Sequence, residues 1–367
     1  MTASGFDPDA LDRLTLGDLR AAGSRRWADA RDGEIAAGLA EMDLGVAPVI
    51  RDRVMSMQRY GYVTARELAA VAAACSEWLA AQRSWPVDPG RIAIVPDLIN
   101  AVERLIELQT QPGDAVIVTT PSYAPLAAAA RKVGRRIIEV PLGPAGRLNL
   151  IRTAHALRHG ARLVVLCNPH NPTGTVFNAA DLAQLAEIVE RHGARVLSDE
   201  VHAPLARQPH AAYAASPGAS VHTTTIVSAS KTWNLSGLKC AQLIFASASD
   251  CEEWHRGEPR LEGSVPVLGA VATTAAYRHG EPWRRDLIEY LGRTDALLLA
   301  SGQTAPQAGY FVWRHLARHV TVATLRSEAG VIVADGAAFG APGWARVTLA
   351  TPTPIAAQLL ERLGRVT

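Results

Sequence analysis

The stretch Thr225-Ile-Val-Ser-Ala-Ser-Lys-Thr-Trp-Asn-Leu-Ser-Gly-Leu-Lys239 joins a short apolar run to a loop that carries two lysines, Lys231 and Lys239. The only other lysine of the chain is Lys132, and arginine supplies the rest of the basic side chains. Lysine can lose its proton and form a Schiff base with a carbonyl group, whereas arginine effectively cannot. The position of Lys231 behind an apolar run therefore indicates a chemical role, with a solvated loop lysine as the alternative.

Seven short apolar runs in the middle of the chain predict the strands of one sheet. They are residues 92–95, 115–118, 137–140, 163–166, 196–197, 225–228 and 242–245. Helical segments separate most of these runs, and this alternation indicates a mainly parallel sheet with helices on both faces. Ligands of such sheets bind beyond the carboxyl ends of the strands, so the residues that follow each run are the candidates for a functional site.

The segments around the predicted sheet divide the chain into two parts. Apolar residues at helical spacing predict helices over residues 65–82, 98–108, 268–299 and 355–363. Residues 310–313 and 345–349 predict strands of a smaller domain. We therefore expect a large domain over residues 44–275, with residues 1–43 and 276–367 forming an N-terminal arm and a small domain.

The composition argues against several classes of function. The formal net charge is +2 without a basic run, so the electrostatic signature of a nucleic-acid-binding surface is missing. No stretch approaches the roughly 20 apolar residues of a membrane-spanning helix, and the polar N-terminus shows no signal peptide. The scattered cysteines form no Cys-x-x-Cys pair, which argues against a zinc site or a disulfide framework and predicts a cytoplasmic protein.

Side chains of five chemical kinds follow the predicted strands and are expected at one edge of the sheet. They are Tyr123, Asn171, Asp199, His202 and Lys231. This set suits a pyridine-aldehyde cofactor, because Lys231 would bind its aldehyde and Asp199 would keep its ring nitrogen protonated, which makes the ring an electron sink. Asn171 and His202 would hydrogen-bond the ring hydroxyl, and Tyr123 would stack on the ring.

A phosphate group on such a cofactor would need its own ligands near Lys231. Ser228, Ser230 and Lys239 are the candidates, because they flank Lys231 along the chain. No Walker-type loop or Gly-x-Gly-x-x-Gly loop offers a competing phosphate site. The alternatives are a surface charge for Lys239 and a packing role for His202.

Six motifs in this order resemble the fold-type-I pyridoxal-phosphate (PLP) enzymes, the aspartate aminotransferase superfamily of classes I and II. The motifs are Pro112-Gly-Asp114, Thr120-Pro-Ser-Tyr123, Asn168-Pro-His-Asn-Pro-Thr-Gly174, Ser198-Asp-Glu-Val-His202, Ser228-Ala-Ser-Lys231 and the late Arg346. The resemblance implies a three-layer α/β fold with a mostly parallel seven-stranded sheet in the large domain. It also implies a smaller α+β C-terminal domain, and pyridoxal 5'-phosphate as the cofactor.

Within that superfamily the sequence is most similar to the MalY/PatB-type cystathionine β-lyases. The similarity lies in Ala40-Glu-Met-Asp-Leu44, Tyr60-Gly-Tyr62 and Ser230-Lys-Thr-Trp-Asn-Leu-Ser-Gly237. By this resemblance, Arg346 and Asn171 would bind the substrate α-carboxylate, which a bidentate guanidinium suits. Tyr62 would reach the cofactor phosphate of a neighbouring subunit, which implies a homodimer with shared active sites.

The segment Val95-Pro-Asp-Leu-Ile99 departs from the pattern of these lyases, which have a glycine at the position of Asp97. The backbone N–H groups of Leu98 and Ile99, at a helix N-terminus, can still bind a phosphate. The Asp97 carboxylate must then either point away from the phosphate or change its binding site.

The function implied by the resemblance is cleavage of the C–S bond of an S-substituted cysteine, giving pyruvate, ammonia and a thiol. Lys231, Tyr123 and Asp199 are expected to carry the catalysis. An aminotransferase or a decarboxylation-coupled deaminase shares the first steps, so both stay open as alternatives. A non-enzymatic regulator that keeps the cofactor is a further alternative, against which the complete set of Lys231, Asp199 and Arg346 counts.

Overall fold

The computed structural model describes residues 4–257 and 259–366. Its helices are α1 (Pro8–Asp12), α2 (Leu16–Ala21), α3 (Pro48–Met55), α4 (Ala65–Arg83), α5 (Leu98–Gln109), α6 (Ala124–Lys132), α7 (Leu150–Arg158), α8 (Ala179–Arg191), α9 (Ala248–Gly257), α10 (Pro259–Gly263), α11 (Val267–His279), α12 (Glu281–Ala300), α13 (Val322–Ala329) and α14 (Thr353–Gly364). Its strands are β1 (Ile35–Ala37), β2 (Ile92–Val95), β3 (Ala115–Thr120), β4 (Arg136–Pro141), β5 (Ala161–Cys167), β6 (Arg195–Asp199), β7 (Thr223–Val227), β8 (Ala241–Phe245), β9 (Phe311–His315), β10 (Val331–Asp335) and β11 (Trp344–Thr348).

The large sheet contains the seven strands that the apolar runs predict, in the spatial order β2-β8-β7-β6-β5-β3-β4. The strands from β7 to β4 pair in parallel, whereas β8 is antiparallel to both of its neighbours, β2 and β7. Six strands therefore end at the same edge of the sheet, and β8 begins there. The prediction of a mostly parallel seven-stranded sheet is confirmed.

Both faces of the inner strand β3 are covered, which explains why residues 115–118 are apolar without interruption. Val116 and Val118 of β3 pack with α5, α6 and α9 on one face. Ala115 and Ile117, which alternate with them, pack with α7 and α8 on the other. Successive side chains of a strand point to opposite faces, so a strand between two helical layers needs an apolar residue at every position.

Local sequence signals set several helix ends. The Thr64 hydroxyl accepts from the Glu67 backbone N–H, and the Glu67 carboxylate accepts from the Thr64 N–H, which forms a capping box at the start of α4. Gly280 separates α11 from α12, where the sequence predicts a bend. A Cβ at Gly280 would lie 2.5 Å from the Trp233 indole nitrogen, so only glycine fits there.

The small sheet has the order β1-β10-β11-β9, and it joins the N-terminal arm to the C-terminal part of the chain. β1 pairs with β10 in parallel, while β10, β11 and β9 pair antiparallel. β9 and β11 correspond to the predicted strands, whereas β1 and β10 were not predicted. Within the described residues, no helix combines the length and the apolar character that a membrane span needs.

Candidate active site

The carboxyl edge of the large sheet brings the predicted site residues to one place. Tyr123 is the N-cap of α6, just after β3, and Asn171 lies in the loop after β5. Asp199 is the last residue of β6, and Lys231 follows the end of β7. The charges of Asp199 and Arg346 both act on Lys231, so the groups from these loops share one electrostatic environment.

Lys231 is only half-buried over the whole residue, but its amine lies inside the fold. Its Nζ donates a hydrogen bond to the Ala40 carbonyl oxygen at 3.2 Å. Desolvation and the neighbouring Arg346 guanidinium lower the pKa of Lys231, against the opposing charges of Asp199 and Glu41. This environment differs from that of a solvated loop lysine and favours the neutral amine that proton transfer or nucleophilic attack requires.

The loop that carries Lys231 is fixed from both sides. Trp233 is fully buried, and its indole N–H donates to the Gly280 carbonyl at 2.9 Å. Asn234 adopts a left-handed backbone conformation, and its amide donates to the Met42 carbonyl at 3.0 Å. These contacts hold Lys231 between α12 and the N-terminal arm.

Asp199 is buried, and its carboxylate accepts a hydrogen bond from the Val201 backbone N–H at 3.2 Å. Desolvation raises the pKa of Asp199 to about 6, although the Val201 hydrogen bond and the charge of Lys231 oppose the shift. A buried carboxylate with so little compensation is suited to a cationic partner, because an opposite charge removes most of the cost of its burial.

His202 lies beside Asp199 and is neutral. Its pKa is lowered to about 3 by desolvation and by the positive charges of Lys231 and Arg346. Its Nδ1 atom is buried and has no hydrogen-bond partner in the described part of the chain. The Phe311 ring contacts the imidazole edge-on at a centroid distance of 5.2 Å. An unpaired polar atom in this position is unfavourable unless a ligand satisfies it.

Arg346 projects from β11 of the small sheet and is held on all sides. Its guanidinium donates to the Asn171 side-chain oxygen and to the Gly38 carbonyl, each at 3.0 Å. The rings of Phe311 and Phe339 lie 5.2 Å and 5.0 Å from its central carbon. The Nε atom is buried and has no hydrogen-bond partner in the described residues. An anion at this position could therefore pair with a guanidinium of fixed orientation and accept a hydrogen bond from Nε.

Tyr123 is half-buried between the two charged groups of the site. Desolvation and the Asp199 carboxylate raise its pKa, while the Arg346 charge acts in the opposite direction. Its hydroxyl therefore stays protonated at ordinary pH. Hydrogen bonds and charge interactions connect the side chains of one site, which are Tyr123, Asn171, Asp199, His202, Lys231 and Arg346.

The residues predicted for a phosphate are close together but already have partners. The Ser228 hydroxyl donates to the Cys240 carbonyl at 2.8 Å and accepts from the Ser230 backbone N–H at 3.1 Å. The Lys239 Nζ atom donates to Asp97 Oδ2 at 2.5 Å. The Ile99 backbone N–H, predicted with that of Leu98 as a phosphate donor, donates to Asp97 Oδ1 at 2.9 Å. Asp97 thus does not point away from the predicted phosphate site.

Tyr62 is the predicted site residue that the structure does not bring to this pocket. It is 90% exposed, and its backbone carbonyl accepts from Arg59 at 2.9 Å. This position is compatible with its assignment to the site of a neighbouring subunit.

Sequence reasoning missed the groups that the N-terminal arm and β9 contribute. The Ala40 carbonyl accepts from both Lys231 and the Tyr310 hydroxyl, in each case at 3.2 Å. The Gly38 carbonyl binds Arg346 at 3.0 Å. Every residue has a backbone carbonyl, so no sequence pattern identifies these two as part of the site. Tyr310 and Phe311 were predicted only as strand residues, and their neighbourhood to His202 depends on the packing of the two sheets.

The arrangement fits a phosphorylated pyridine aldehyde. The site offers an amine of lowered pKa, a buried carboxylate that accepts from the Val201 backbone N–H, and an imidazole nitrogen without a partner among the described residues. It also offers a fixed guanidinium and, beside Lys231, the anion-binding donors of Lys239 and Ile99. These donor types match an aldehyde, a ring nitrogen, a ring hydroxyl, a carboxylate and a phosphate.

The chain belongs to the aminotransferase class I and II family, whose family model matches residues 41–363. This match covers the whole large sheet and the strands β9, β10 and β11 of the small sheet. The fold-type-I architecture inferred from the sequence motifs is thereby confirmed.

Among curated relatives, the chain is 33% identical over 393 residues to a protein assigned as a cystathionine β-lyase in Mycobacterium leprae, covering 97% of each chain. It is 28% identical over 340 residues to the cystathionine β-lyase of Corynebacterium glutamicum, covering 89% of this chain and 91% of that one. Among solved structures, a protein assigned as a PLP-dependent β-cystathionase from Corynebacterium diphtheriae superposes with a TM-score of 0.90. It is 30% identical, and the match covers 96% of this chain and 98% of that one.

Proposed function

We propose that the protein is a PLP-dependent lyase that cleaves the C–S bond of an S-substituted cysteine by β-elimination. The products are pyruvate, ammonia and the thiol. The observation that carries this proposal is the convergence of Lys231, Asp199 and Arg346 at the carboxyl edge of the sheet. Relatives at 28–33% identity over most of the chain are described as cystathionine β-lyases, which favours β-elimination within the chemistry that these residues permit.

Pyridoxal 5'-phosphate supplies the electron sink that allows an amino acid to lose its α-proton and then its β-substituent. The Lys231 Nζ atom would bind its aldehyde. The Asp199 carboxylate would pair with its ring nitrogen, and His202 and Asn171 would approach its ring hydroxyl. Tyr123 would stack on its ring, with Ser230, Lys239 and the Leu98 and Ile99 amides near its phosphate.

The side chains of this protein would position the substrate and move its protons. Arg346 and Asn171 bind the α-carboxylate, because the guanidinium is fixed by two rings and two acceptors. The Lys231 Nζ atom, with its lowered pKa, accepts the α-proton and returns it to the leaving group. The Ala40 carbonyl accepts a hydrogen bond from this amine at 3.2 Å, which orients the Lys231 side chain towards the N-terminal arm.

Transamination is the second candidate function. Sequence similarity to aminotransferases supports it, for example 27% identity over 335 residues to the LL-diaminopimelate aminotransferase of Desulforudis audaxviator. The same residues would remove the α-proton in both reactions, so only the products distinguish β-elimination from transamination.

The test is to incubate the cofactor-loaded protein with cystathionine and other S-substituted cysteines and to measure pyruvate, ammonia and free thiol. We expect all three in equal amounts without a 2-oxo acid. If amino exchange appears only when a 2-oxo acid is added, the protein is an aminotransferase and the lyase proposal is wrong.

Two lysine variants make a matched pair for the cofactor itself. Lys231→Ala should abolish activity and the absorbance band near ~400 nm that a covalently held cofactor gives. Lys132→Ala should change neither, because Lys132 lies on the surface and pairs with Glu103 at 2.7 Å. A band that persists in Lys231→Ala would mean that another group holds the cofactor.

We further propose that the protein works as a homodimer in which Tyr62 completes the neighbouring site. Large apolar side chains are unusually exposed in the segment before α4: Met55 is 78%, Tyr60 71% and Tyr62 90% exposed. Exposed apolar groups in one segment favour a covered surface. Size-exclusion chromatography with light scattering should give twice the chain mass of 39.1 kDa; a monomer at working concentration would contradict the proposal.

We also propose that the protein is located in the cytoplasm. All four cysteines are buried and unpaired, which a reducing compartment favours. Localisation of a tagged full-length protein in its native host would test it, and recovery from outside the cytoplasm would contradict it.

A further inference from the structure

Asp97, at the start of α5, lies among the groups that are predicted to bind a phosphate. The Asp97 carboxylate binds two kinds of donor at once. Its Oδ1 atom accepts from the backbone N–H groups of Ile99 at 2.9 Å and Asn100 at 3.3 Å. Its Oδ2 atom accepts from Lys239 Nζ at 2.5 Å. The Asp97 carboxylate therefore accepts hydrogen bonds from the helix amides and the lysine that would otherwise donate to a bound phosphate.

The sheet register explains why these residues meet. Val95, the last residue of β2, pairs with Ala241, the first residue of the antiparallel strand β8. Asp97 and Lys239 each lie two residues beyond this pair, at the same edge of the sheet as Lys231. The contact between Asp97 and Lys239 is therefore a property of the strand register and not of a flexible loop.

The backbone at Lys239 is fixed as well. Lys239 has a φ of 53°, a left-handed conformation that side chains other than glycine rarely adopt. Gly269 of α11 packs so closely on this segment that a Cβ at Gly269 would lie within 3.0 Å of the Lys239 carbonyl oxygen. A non-glycine residue kept in a strained conformation often marks a functional site. Only the side chain of Lys239 is free to exchange partners.

The charge of Asp97 is stable at neutral pH. Desolvation acts to raise its pKa, but the hydrogen bonds from Lys239, Asn100 and Ile99 together lower the pKa below its ordinary value. The site thus holds a permanent negative charge in contact with the donors that a phosphate needs. A phosphate placed there meets like-charge repulsion, and it must also break the pair between Asp97 and Lys239.

We propose that Asp97 is an internal competitor for the cofactor phosphate. Its carboxylate accepts from Lys239 and from the first amides of α5, and a cofactor phosphate that used the same donors would have to displace it. The cofactor phosphate is therefore bound less tightly, which allows bound cofactor to exchange with cofactor in solution. This role rests on the proposed function, because only a phosphate-bearing cofactor competes for these donors.

A cap at the start of α5 is the alternative role for Asp97, and the choice of variant separates the two. Asparagine and serine cap helices about as well as aspartate but carry no charge. Asp97→Asn and Asp97→Ser therefore keep the cap and remove the competing charge. Asp7→Asn makes the same change at the N-cap of α1, where the Asp7 side chain accepts from the Ala10 backbone N–H at 3.0 Å.

The experiment is equilibrium binding to cofactor-free, full-length protein with two probes, PLP and pyridoxal, which lacks the phosphate. Quenching of tryptophan fluorescence and equilibrium dialysis both report binding without reference to activity. We expect Asp97→Asn and Asp97→Ser to lower the Kd for PLP by about tenfold or more, because a like charge beside the phosphate is removed. The Kd for pyridoxal should change less than about twofold, and Asp7→Asn should alter neither Kd.

Each outcome has a distinct meaning. An unchanged or higher Kd for PLP in both Asp97 variants would overturn the competitor role and leave the proposed function standing. An equal gain for PLP and pyridoxal would also overturn it, because the effect would not act through the phosphate. If the unaltered protein binds no PLP at all, the proposed function fails together with this inference.

Discussion

At the scale of single residues, the site combines side chains whose pKa values are shifted from their ordinary values mainly by burial. Asp199 has its pKa raised to about 6, and His202 has its pKa lowered to about 3. The pKa of Lys231 is lowered as well. Each of these shifts favours the neutral form of the side chain over its charged form. A positively charged ligand group next to Asp199 would favour the ionised carboxylate, because it supplies the opposite charge.

Asp199 provides a prediction in which the pH dependence has a definite sign. Burial raises the folded-state pKa of Asp199 above the ordinary value of 3.8 for an aspartate, so the folded chain holds this proton more tightly than the unfolded chain. Stability from this group therefore falls as pH rises from about 4 to about 6, and the full cost is present above that range. We expect Asp199→Asn to stabilise the cofactor-free protein at pH 8 by roughly 3 kcal/mol, and by progressively less towards pH 4.

Urea denaturation of the cofactor-free proteins at several pH values measures this difference. Asp52→Asn is the control, because the Asp52 side chain is 67% exposed and should change stability by less than about 0.5 kcal/mol. A pH-independent difference, or a less stable Asn variant at pH 8, would show that the carboxylate carries no burial cost.

Most side chains of the pocket could be predicted from the sequence, because each follows a strand that ends at the same edge. Lys231, Asp199 and Asn171 are examples, and their order along the chain matches that of a known family. The partner of Asp97 could not be predicted in this way. Its contact with Lys239 depends on the register between β2 and β8, which are separated by well over a hundred residues of sequence.

At the scale of secondary-structure elements, Arg26 joins the N-terminal arm to the small sheet. Its guanidinium donates to the Ala36 carbonyl at 2.6 Å and to the Ala350 carbonyl at 3.0 Å. It also pairs with the buried Asp43 at 3.2 Å. The arm in turn carries Ala40, whose carbonyl holds Lys231. A buried arginine therefore positions the arm whose Ala40 carbonyl contacts Lys231.

Replacement of Arg26 by glutamine is expected to lower the free energy of unfolding by about 3–5 kcal/mol, because it leaves Asp43 buried without its cation. A second change, Asp43→Asn, should restore part of this loss. Arg51→Gln is the control, because Arg51 forms an exposed pair with Asp52, and such pairs contribute about 0–1 kcal/mol.

Denaturation of the four members of the Arg26–Asp43 double-mutant cycle measures the coupling directly. Strict additivity of the two changes would contradict the ion pair as the cause of the loss.

The strands of the large sheet were predictable, whereas two strands of the small sheet were not. β1 is three residues long and pairs with β10, almost three hundred residues further along the chain. So short a run shows no alternation that can be distinguished from loop sequence. Its pairing depends on contacts that only the complete fold provides. Local patterns identify elements that are long and buried on both faces, and they miss short strands of this kind.

At the scale of the whole molecule, the proposed dimer predicts that two inactive variants can restore each other. Lys231→Ala lacks the amine, and Tyr62→Ala lacks the side chain offered to the neighbouring site. In a hybrid of the two, one site receives both defects and the other receives neither. Random pairing makes half of the dimers hybrids, so the mixture should regain about a quarter of the normal activity.

Co-expression with two different affinity tags isolates the hybrid, and the lyase assay then measures its activity. Lys132→Ala combined with Tyr62→Ala serves as the control for tagging, because Lys132 is a surface residue. Activity in the isolated hybrid no greater than in the two parents would show that Tyr62 does not act across subunits.

The three residues from Gly38 to Ala40 connect the two ends of the pocket mechanically. The Gly38 carbonyl binds Arg346, and the Ala40 carbonyl binds Lys231 and Tyr310. A short rigid piece of main chain thus touches both the group that would anchor a substrate and the group that would react with it. Any shift of this piece changes both contacts in the same movement. We therefore expect a ligand that moves Gly38 at Arg346 also to move the Ala40 carbonyl at Lys231.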